Sequence, residues 1–578
     1  MNHQRYMTIL SDFSLGKYSE VVKLCQGVTL DLSKSSDQNI LNALVLSYAK
    51  LGNVEQTLVI FEQLANKSLS LEMTNCFLAM FEDYGLPKRI EKKSFLNVCR
   101  LILAQFPHDE AIRTRSVRLM TVFECIDAGE TLKLMSAVKR PQTNIWFEFM
   151  IQVNSKLGFY DDVIILIKQA KKSVVFNEPL AISSLRGALQ TQDITVVEDL
   201  IRFLTKRKIE SYPVDEAIAN AYVSIGSTDK AMKRFIYLLK RSTNLSQKAS
   251  ILYNASLLPV HNDYISKQLD LLDCDSRHFD PKDQELIHFA KAWTFRKLKN
   301  FDSSVAHTIK GNNLINSRLV FNLETYIREI SDAFEAHDKL LKTSIEIKPI
   351  VAPTLFFVGL PRSGSTVLAD RIFRLYDSEN LEESDFLVNF FQQIVTKIKA
   401  EEKIQSLVNL FPAIWAKATR QCEKLVIDKS LSNFKYLPLL QLFFPNSCIT
   451  WTSRPSDDHL WGIYKQRFVS NPLAYTADPK TLKQVFNISI ETQKKCRCLG
   501  FDFIEARLEK LATTEIKIQK KLNQLKGVKL RQTELTIDAD RVSNTAANTQ
   551  IRSEYSQPGN TELDYARKHI PALFNLEV

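Results

Sequence analysis

No apolar run in the 578 residues approaches the roughly 18 that a bilayer crossing needs. The opening stretch "MNHQRYMTILSDFSLGKYSE" has no apolar core of signal-peptide length. A cytoplasmic protein without a membrane span is expected. The nine cysteines fall at irregular spacing with no CxxC pair, which excludes the common zinc and redox motifs and predicts buried thiols in a reducing compartment. No block of five or six like charges accompanies the formal charge of +11, so the excess is spread along the chain. Anionic small partners are favoured over nucleic acid. Glycine and proline are scarce before Pro349, which leaves long helices as the dominant expectation there. With 45% hydrophobic and 24% charged residues the whole chain should fold, and its length predicts two or more domains.

What is present in the first part is a repeated helical pattern. In "YAKLGNVEQTLVIFEQL", Tyr48, Thr57, Phe61 and Leu64 surround Gly52, and in "YVSIGSTDKAMKRFIYL" Tyr222, Ala231, Phe235 and Leu238 take the same offsets from Gly226. Gly158 with Val163, Ile167 and Ala170 fits the template, as does Gly16 with Val21, Cys25 and Val28. Steps of 34 residues join Gly158, Gln192, Gly226 and Val260, which adds Val197, Ile201 and Leu204, then Ile265, Leu269 and Leu272. Each unit reads as a helical hairpin. The glycine permits the tight turn, and the later apolar positions stack on the next unit. Units near positions 88 and 123, and beyond 290, cannot be placed in register. Period and pattern resemble the tetratricopeptide repeat, which implies an all-α superhelix over residues 1–345 with a surface for an acceptor or protein partner.

Past Pro349 and Pro353 the character changes. "TLFFVG" reads as a buried strand, and "GLPRSGST" follows it before a helix. Gly359 and Gly364 keep the spacing of a Walker phosphate loop, and Thr366 stands in its closing position, but Ser365 replaces the lysine. A helix that begins there still aims backbone N–H groups and its positive dipole end at an anion. Without the lysine the ligand is expected to lack a triphosphate–metal complex, and Arg362 supplies a cation from within the loop.

"GLPRSGST" is similar to the 5′-phosphosulfate loop of sulfotransferases that use 3′-phosphoadenosine 5′-phosphosulfate (PAPS). Helical repeats followed by such a domain resemble the repeat-containing sulfotransferases, whose catalytic domain is similar to tyrosylprotein sulfotransferase. The resemblance implies a P-loop-type α/β domain with a central parallel sheet over residues 350–578. It implies that Pro361, Arg362, Ser363, Gly364, Ser365 and Thr366 hold the 5′-phosphosulfate, and that no metal takes part. A glutamate twenty-one residues after the loop arginine is the family's base, which is Glu383 here, with Glu382 and Glu379 as rivals. "VIDKSLSNF" makes Lys429 the counterpart of the lysine that faces the transferring sulfuryl group, and "RLEKLATT" is similar to a packing segment of the family. Arg454 matches the arginine of the 3′-phosphate motif. The sequence departs at two hydroxyls: Gly462 stands where the motif has serine, leaving Ser456 as a substitute, and Ala547 stands before "QIR", with Thr545 and Thr549 beside it and Arg552 closing the motif. The acceptor class, peptide, glycan or small molecule, stays open. The alternative to a sulfotransferase is a repeat scaffold whose degenerate domain binds a ligand or partner without catalysis.

Overall fold

The structure, a computed structural model, describes residues 3–26, 28, 34–63, 69–87, 90–123, 125–126, 128–138, 141–207, 209, 211–272, 279–382, 386–419, 423–531 and 560–574. The chain forms two compact units, Met1–Val153 with Ile165–Leu180, and Asn154–Ile164 with Ala181–Val578. The change from helices to strands, between Lys342 and Thr354, falls inside the second unit. No described helix is long and apolar enough to cross a membrane.

Between His3 and Lys342 the described residues form a succession of helices joined by short turns. Most template positions are buried as the sequence pattern requires, Val21, Thr57, Phe61, Val163, Ala170, Val197, Ala231 and Phe235 fully, while Val28 and Leu272 are half-buried. Leu64 lies outside the described residues. At the turns, Gly16, Gly52, Gly158 and Gly226 hold left-handed backbone with φ between 68° and 78°, and Gln192 holds φ 59°, whereas the exposed Val260, the other non-glycine of the series, does not take the left-handed turn. The amide of the next residue reaches five residues back, Asn53 to Tyr48 and Ser227 to Tyr222 at 2.9 and 2.8 Å, closing the helix end. Lys299, at φ 59°, marks a further turn between helices Pro281–Lys297 and Phe301–Arg318, beyond the reach of the sequence register. Five and nine residues past the turn it buries Ser304 and Thr308, beside the buried apolar Val305 and Ile315. Ser304 donates to the Ala292 carbonyl at 3.0 Å and Thr308 to the Ser304 carbonyl at 2.8 Å, which makes burial of these hydroxyls tolerable.

Five strands form one parallel sheet: β1 (Thr354–Gly359), β2 (Ser378–Glu382), β3 (Leu425–Asp428), β4 (Ser447–Ser453) and β5 (Ile504–Arg507), in the order β2-β3-β1-β4-β5. Strand alternation divides β1 between two cores. Leu355 and Phe357 meet Leu368, Ile372, Ile518 and Leu522 on one face, and Phe356 and Val358 meet Phe391, Phe443 and Phe444 on the other. Such near-continuous apolar strands suit a parallel sheet covered on both sides. The chain steps to one side of β1 for β2 and β3 and to the other for β4 and β5. The carboxyl end of β1 is therefore the switch point, where open α/β sheets place their ligands.

Helices of residues 281–342 pack on this α/β part. Asn312 Nδ2 donates to the Tyr464 carbonyl at 2.8 Å, and the fully buried Glu285 pairs with Arg318 and Arg467, each at 2.6 Å. Of the described cysteines, all free, Cys25, Cys99, Cys448 and Cys496 are buried as expected, but Cys498 is exposed, and Cys76 and Cys125 are half-buried. Cys498 occupies the end of helix Pro479–Cys498, two residues past the inward-facing Cys496, and so turns to the opposite side.

Candidate functional site

The loop after β1 is built by steric necessity. Gly359 has φ 136°, and a Cβ there would lie 2.7 Å from the Thr452 carbonyl oxygen. Arg362 takes φ 64°, and Gly364, at φ 92°, caps helix Ser365–Leu375. A Cβ on Gly364 would lie 2.7 Å from Leu508 Cδ1, so the segment "RLEKLATT" packs directly against the loop. Ser363, Ser365 and Thr366 are buried, while Pro361 and Arg362 are half-buried. Thr452 gives its hydroxyl proton to the Val358 carbonyl at 3.2 Å, so Ser363 is the donor in its 2.6 Å bond to Thr452 Oγ1. The sequence-expected turn thus exists, tied by its own serine to β4.

Three cations come from three places around it. Lys429, one residue beyond β3 and completely buried, donates from Nζ to Thr366 Oγ1 at 3.3 Å. Arg454, just beyond β4, and Arg362 of the loop converge at Gly462. A Cβ at Gly462 would lie 3.3 Å from Arg454 Nη1 and 3.6 Å from Arg362 Cβ. The residue that departs from the family pattern therefore faces both arginines that the pattern assigns to phosphates. Ser456 opens the helix Ser456–Tyr464 that carries Gly462 and is half-buried.

Two further groups escaped the sequence reading. His459 sits under the loop and donates from Nε2 to the Pro361 carbonyl at 2.9 Å. Burial, and then the charges of Arg454 and Arg362, hold its imidazole down at about 4 against the pull of the loop carbonyls. A neutral ring thus supports the loop at physiological pH. Its only sequence signal was a histidine five residues past Arg454. Asp428, at the end of β3, is buried and accepts at Oδ1 from Ser430 N at 2.8 Å and Asn433 Nδ2 at 3.1 Å, while Oδ2 has no partner among the described residues. Burial outweighs the Ser430 hydrogen bonds and raises this carboxyl to about 7. These bonds fix the backbone on both sides of Lys429.

Glu382 on β2 is in register with Asp428, which brings the end of β2 beside the strand end that precedes Lys429. Glu379 lies earlier on β2, in register with Val426. Glu383, the expected base, lies outside the described residues, as do Thr545, Ala547, Thr549 and Arg552.

No protein-family model and no curated protein sequence matches the chain. Among solved structures it is similar to the pentatricopeptide repeat protein PPR10 from maize, at 11% identity and a TM-score of 0.28, over 90% of this chain and 82% of that one.

Proposed function

We propose that the chain is a PAPS-dependent sulfotransferase that moves a sulfuryl group to an acceptor hydroxyl, with the helical repeats serving acceptor or partner recognition. The observation that carries this reading is the Lys429 ammonium on the Thr366 hydroxyl. In a lysine-bearing loop that hydroxyl holds magnesium. Here a side-chain cation takes the place of the metal, in a loop that has no lysine of its own. The residues fit a ligand with two separated anionic ends. The loop amides and Lys429 serve the phosphosulfate, and Arg454, which lies against Gly462, serves a second phosphate.

The bound PAPS supplies an activated sulfuryl group whose leaving group is a phosphate oxygen. In the proposed chemistry Glu383 takes the proton of the acceptor hydroxyl as its oxygen forms the new bond to sulfur. Arg362 and Lys429 balance the charge that spreads over the sulfuryl oxygens and the departing phosphate oxygen as the old S–O bond breaks. Adenosine 3′,5′-bisphosphate and the sulfated acceptor are the products. His459 holds the Pro361 carbonyl and so keeps the loop shaped for the phosphosulfate.

Calorimetric titration with adenosine 3′,5′-bisphosphate tests the reading, with one site per chain and weak or no response to ATP–Mg²⁺ as the expected result. Tight ATP binding without a bisphosphate response overturns it. Gly462, which offers no hydroxyl to a phosphate, favours a second reading: a domain that binds the ligand without transferring sulfate. Bisphosphate binding in a chain that transfers no sulfate to any phenol, sugar or peptide hydroxyl would select that reading.

A further inference from the structure

A group of nitrogen donors near the loop is left over by the scheme above. Arg296, in helix Pro281–Lys297, gives Nε to Glu562 of helix Asn560–His569, and Lys465 meets the other oxygen of that carboxylate at 3.4 Å. Two cations thus share one carboxylate. Burial opposes the charge of Glu562, but Arg296 and Lys465 hold it down at about 2. The Arg296 guanidinium lies over the Trp293 ring, 4.5 Å from its centroid. Nη1 and Nη2 of Arg296, and Nε1 of Trp293, are buried and have no hydrogen-bond partner among the described residues. Buried donors are paired in the great majority of cases. Three unpaired ones on two stacked side chains, next to an excess positive charge, match an oxyanion, because the guanidinium edge spans two oxygens of a phosphate or sulfate.

The cluster adjoins the loop. Lys465 directly follows helix Ser456–Tyr464, three residues past Gly462 and therefore on the same side of it. Burial, then Arg296 and Arg362, hold the Lys465 ammonium down at about 8 against the pull of Glu562, so the loop arginine acts on it. We infer that Arg296, Trp293 and Lys465 form a second oxyanion seat beside Arg362 and Arg454, which takes the 3′-phosphate of the nucleotide in place of the hydroxyl missing at Gly462. The inference rests on the sulfotransferase reading for the identity of the nucleotide, but not for the chemistry of the seat. Its consequence is that a helix of the repeat-like region, not of the α/β fold, makes the protein prefer a bisphosphate to a monophosphate.

The test uses the full-length chain and two variants. Arg296→Met combined with Glu562→Gln removes the cation together with its counter-charge, and Trp293→Phe removes a single N–H while keeping the aromatic ring. Adenosine 3′,5′-bisphosphate, adenosine 5′-monophosphate and inorganic phosphate are titrated into each. The double variant is expected to bind bisphosphate at least about tenfold more weakly with monophosphate affinity unchanged, and Trp293→Phe to lose about threefold on bisphosphate alone. Parental bisphosphate affinity in both variants overturns the seat and leaves the proposed function standing. If the parent binds neither nucleotide, the proposed function fails. The seat then stands if inorganic phosphate raises the parent's melting temperature but not that of the variants, and falls if phosphate protects none of them or all alike. Should the double variant not fold, Trp293→Phe decides by the same measurements.

Discussion

Gly16 in the helical hairpins and Gly364 in the phosphate loop both hold left-handed backbone, with φ of 71° and 92°, but their surroundings differ. Nothing lies within 4 Å of a Cβ built on Gly16, whereas one on Gly364 would meet Leu508 at 2.7 Å. In the repeats the same turn is also made by Gln192 and Lys299. Glycine there relieves a local backbone cost that other contacts can carry. In the loop it makes room for a neighbour that must approach. A repeat built from many interchangeable contacts tolerates drift at single positions, and a loop assembled from one residue per role does not.

The sharpest way to break this contrast is a single residue assigned to the chemistry that proves dispensable. Glu383→Gln keeps size but removes proton acceptance, so turnover should fall about 10² to 10⁴-fold, with little change in bisphosphate affinity. Glu382→Gln is the control for a count shifted by one. A parental rate in Glu383→Gln with an inactive Glu382→Gln would move the base by one position. Parental rates in both would remove the base from this strand end.

Next in size is the paired comparison itself. Gly364→Ala should cost about 2–4 kcal/mol through strained φ and displaced Leu508, and should abolish the nucleotide response. Gly16→Ala should cost about 1 kcal/mol and leave binding intact. Denaturant titration and calorimetry on both proteins read the difference, and equal costs would erase the distinction drawn above.

Asp428 extends the comparison to pH. Its carboxyl keeps a proton to about pH 7 in the folded chain, while the unfolded chain releases it near 3.8. Between those values the folded state binds more protons, so rising pH removes stability over that window. His459 runs the other way. Its folded value of about 4 lies below the ordinary 6.5, so its contribution is full above pH 6.5 and is lost as pH falls towards 4. Asp428→Asn should therefore gain on the parent progressively from pH 4 to 7, by on the order of 3 kcal/mol, as read from unfolding midpoints at stepped pH. A constant difference would mean that Asp428 is ionised throughout.

The repeats were legible where a glycine marked the turn and large apolar residues marked the stack. The hairpin around Lys299 was not, because a lysine makes the turn, and Ser304 and Thr308 stand at the offsets searched while the buried Val305 and Ile315 lie off them. In the site, the loop, Lys429 and Arg454 could be read because each lies next to a strand of obvious composition. Asp428 ends such a strand, but nothing in the sequence marked its burial; His459 and the Arg296–Glu562 pair gave no such signal. The roles of His459 and of that pair depend on burial and on partners 98 and 266 residues away in sequence. Gly462 was read as a loss, and the structure gives the loss a location. Gly462→Ser would set a hydroxyl beside Arg454, and bisphosphate affinity should rise about tenfold if the second phosphate lies there. Unchanged affinity in calorimetry would mean that the phosphate does not reach Gly462.

The smallest expected effect lies in the repeats. Lys299 is exposed and holds φ 59°. A side chain in that region costs about 1–2 kcal/mol, and glycine gives back about 0.5–1 kcal/mol of this through the greater freedom of its unfolded chain. Lys299→Gly should thus stabilise by about 0.5 kcal/mol, visible as a small rise in the urea midpoint with an unchanged slope. Its nucleotide affinity should stay parental, because the turn only closes a helix end, with Asn300 N reaching the Phe295 carbonyl at 2.9 Å whatever the side chain at 299. A loss of stability in Lys299→Gly would show that the lysine contributes a contact of its own, and this repeat turn would then be as particular as the phosphate loop.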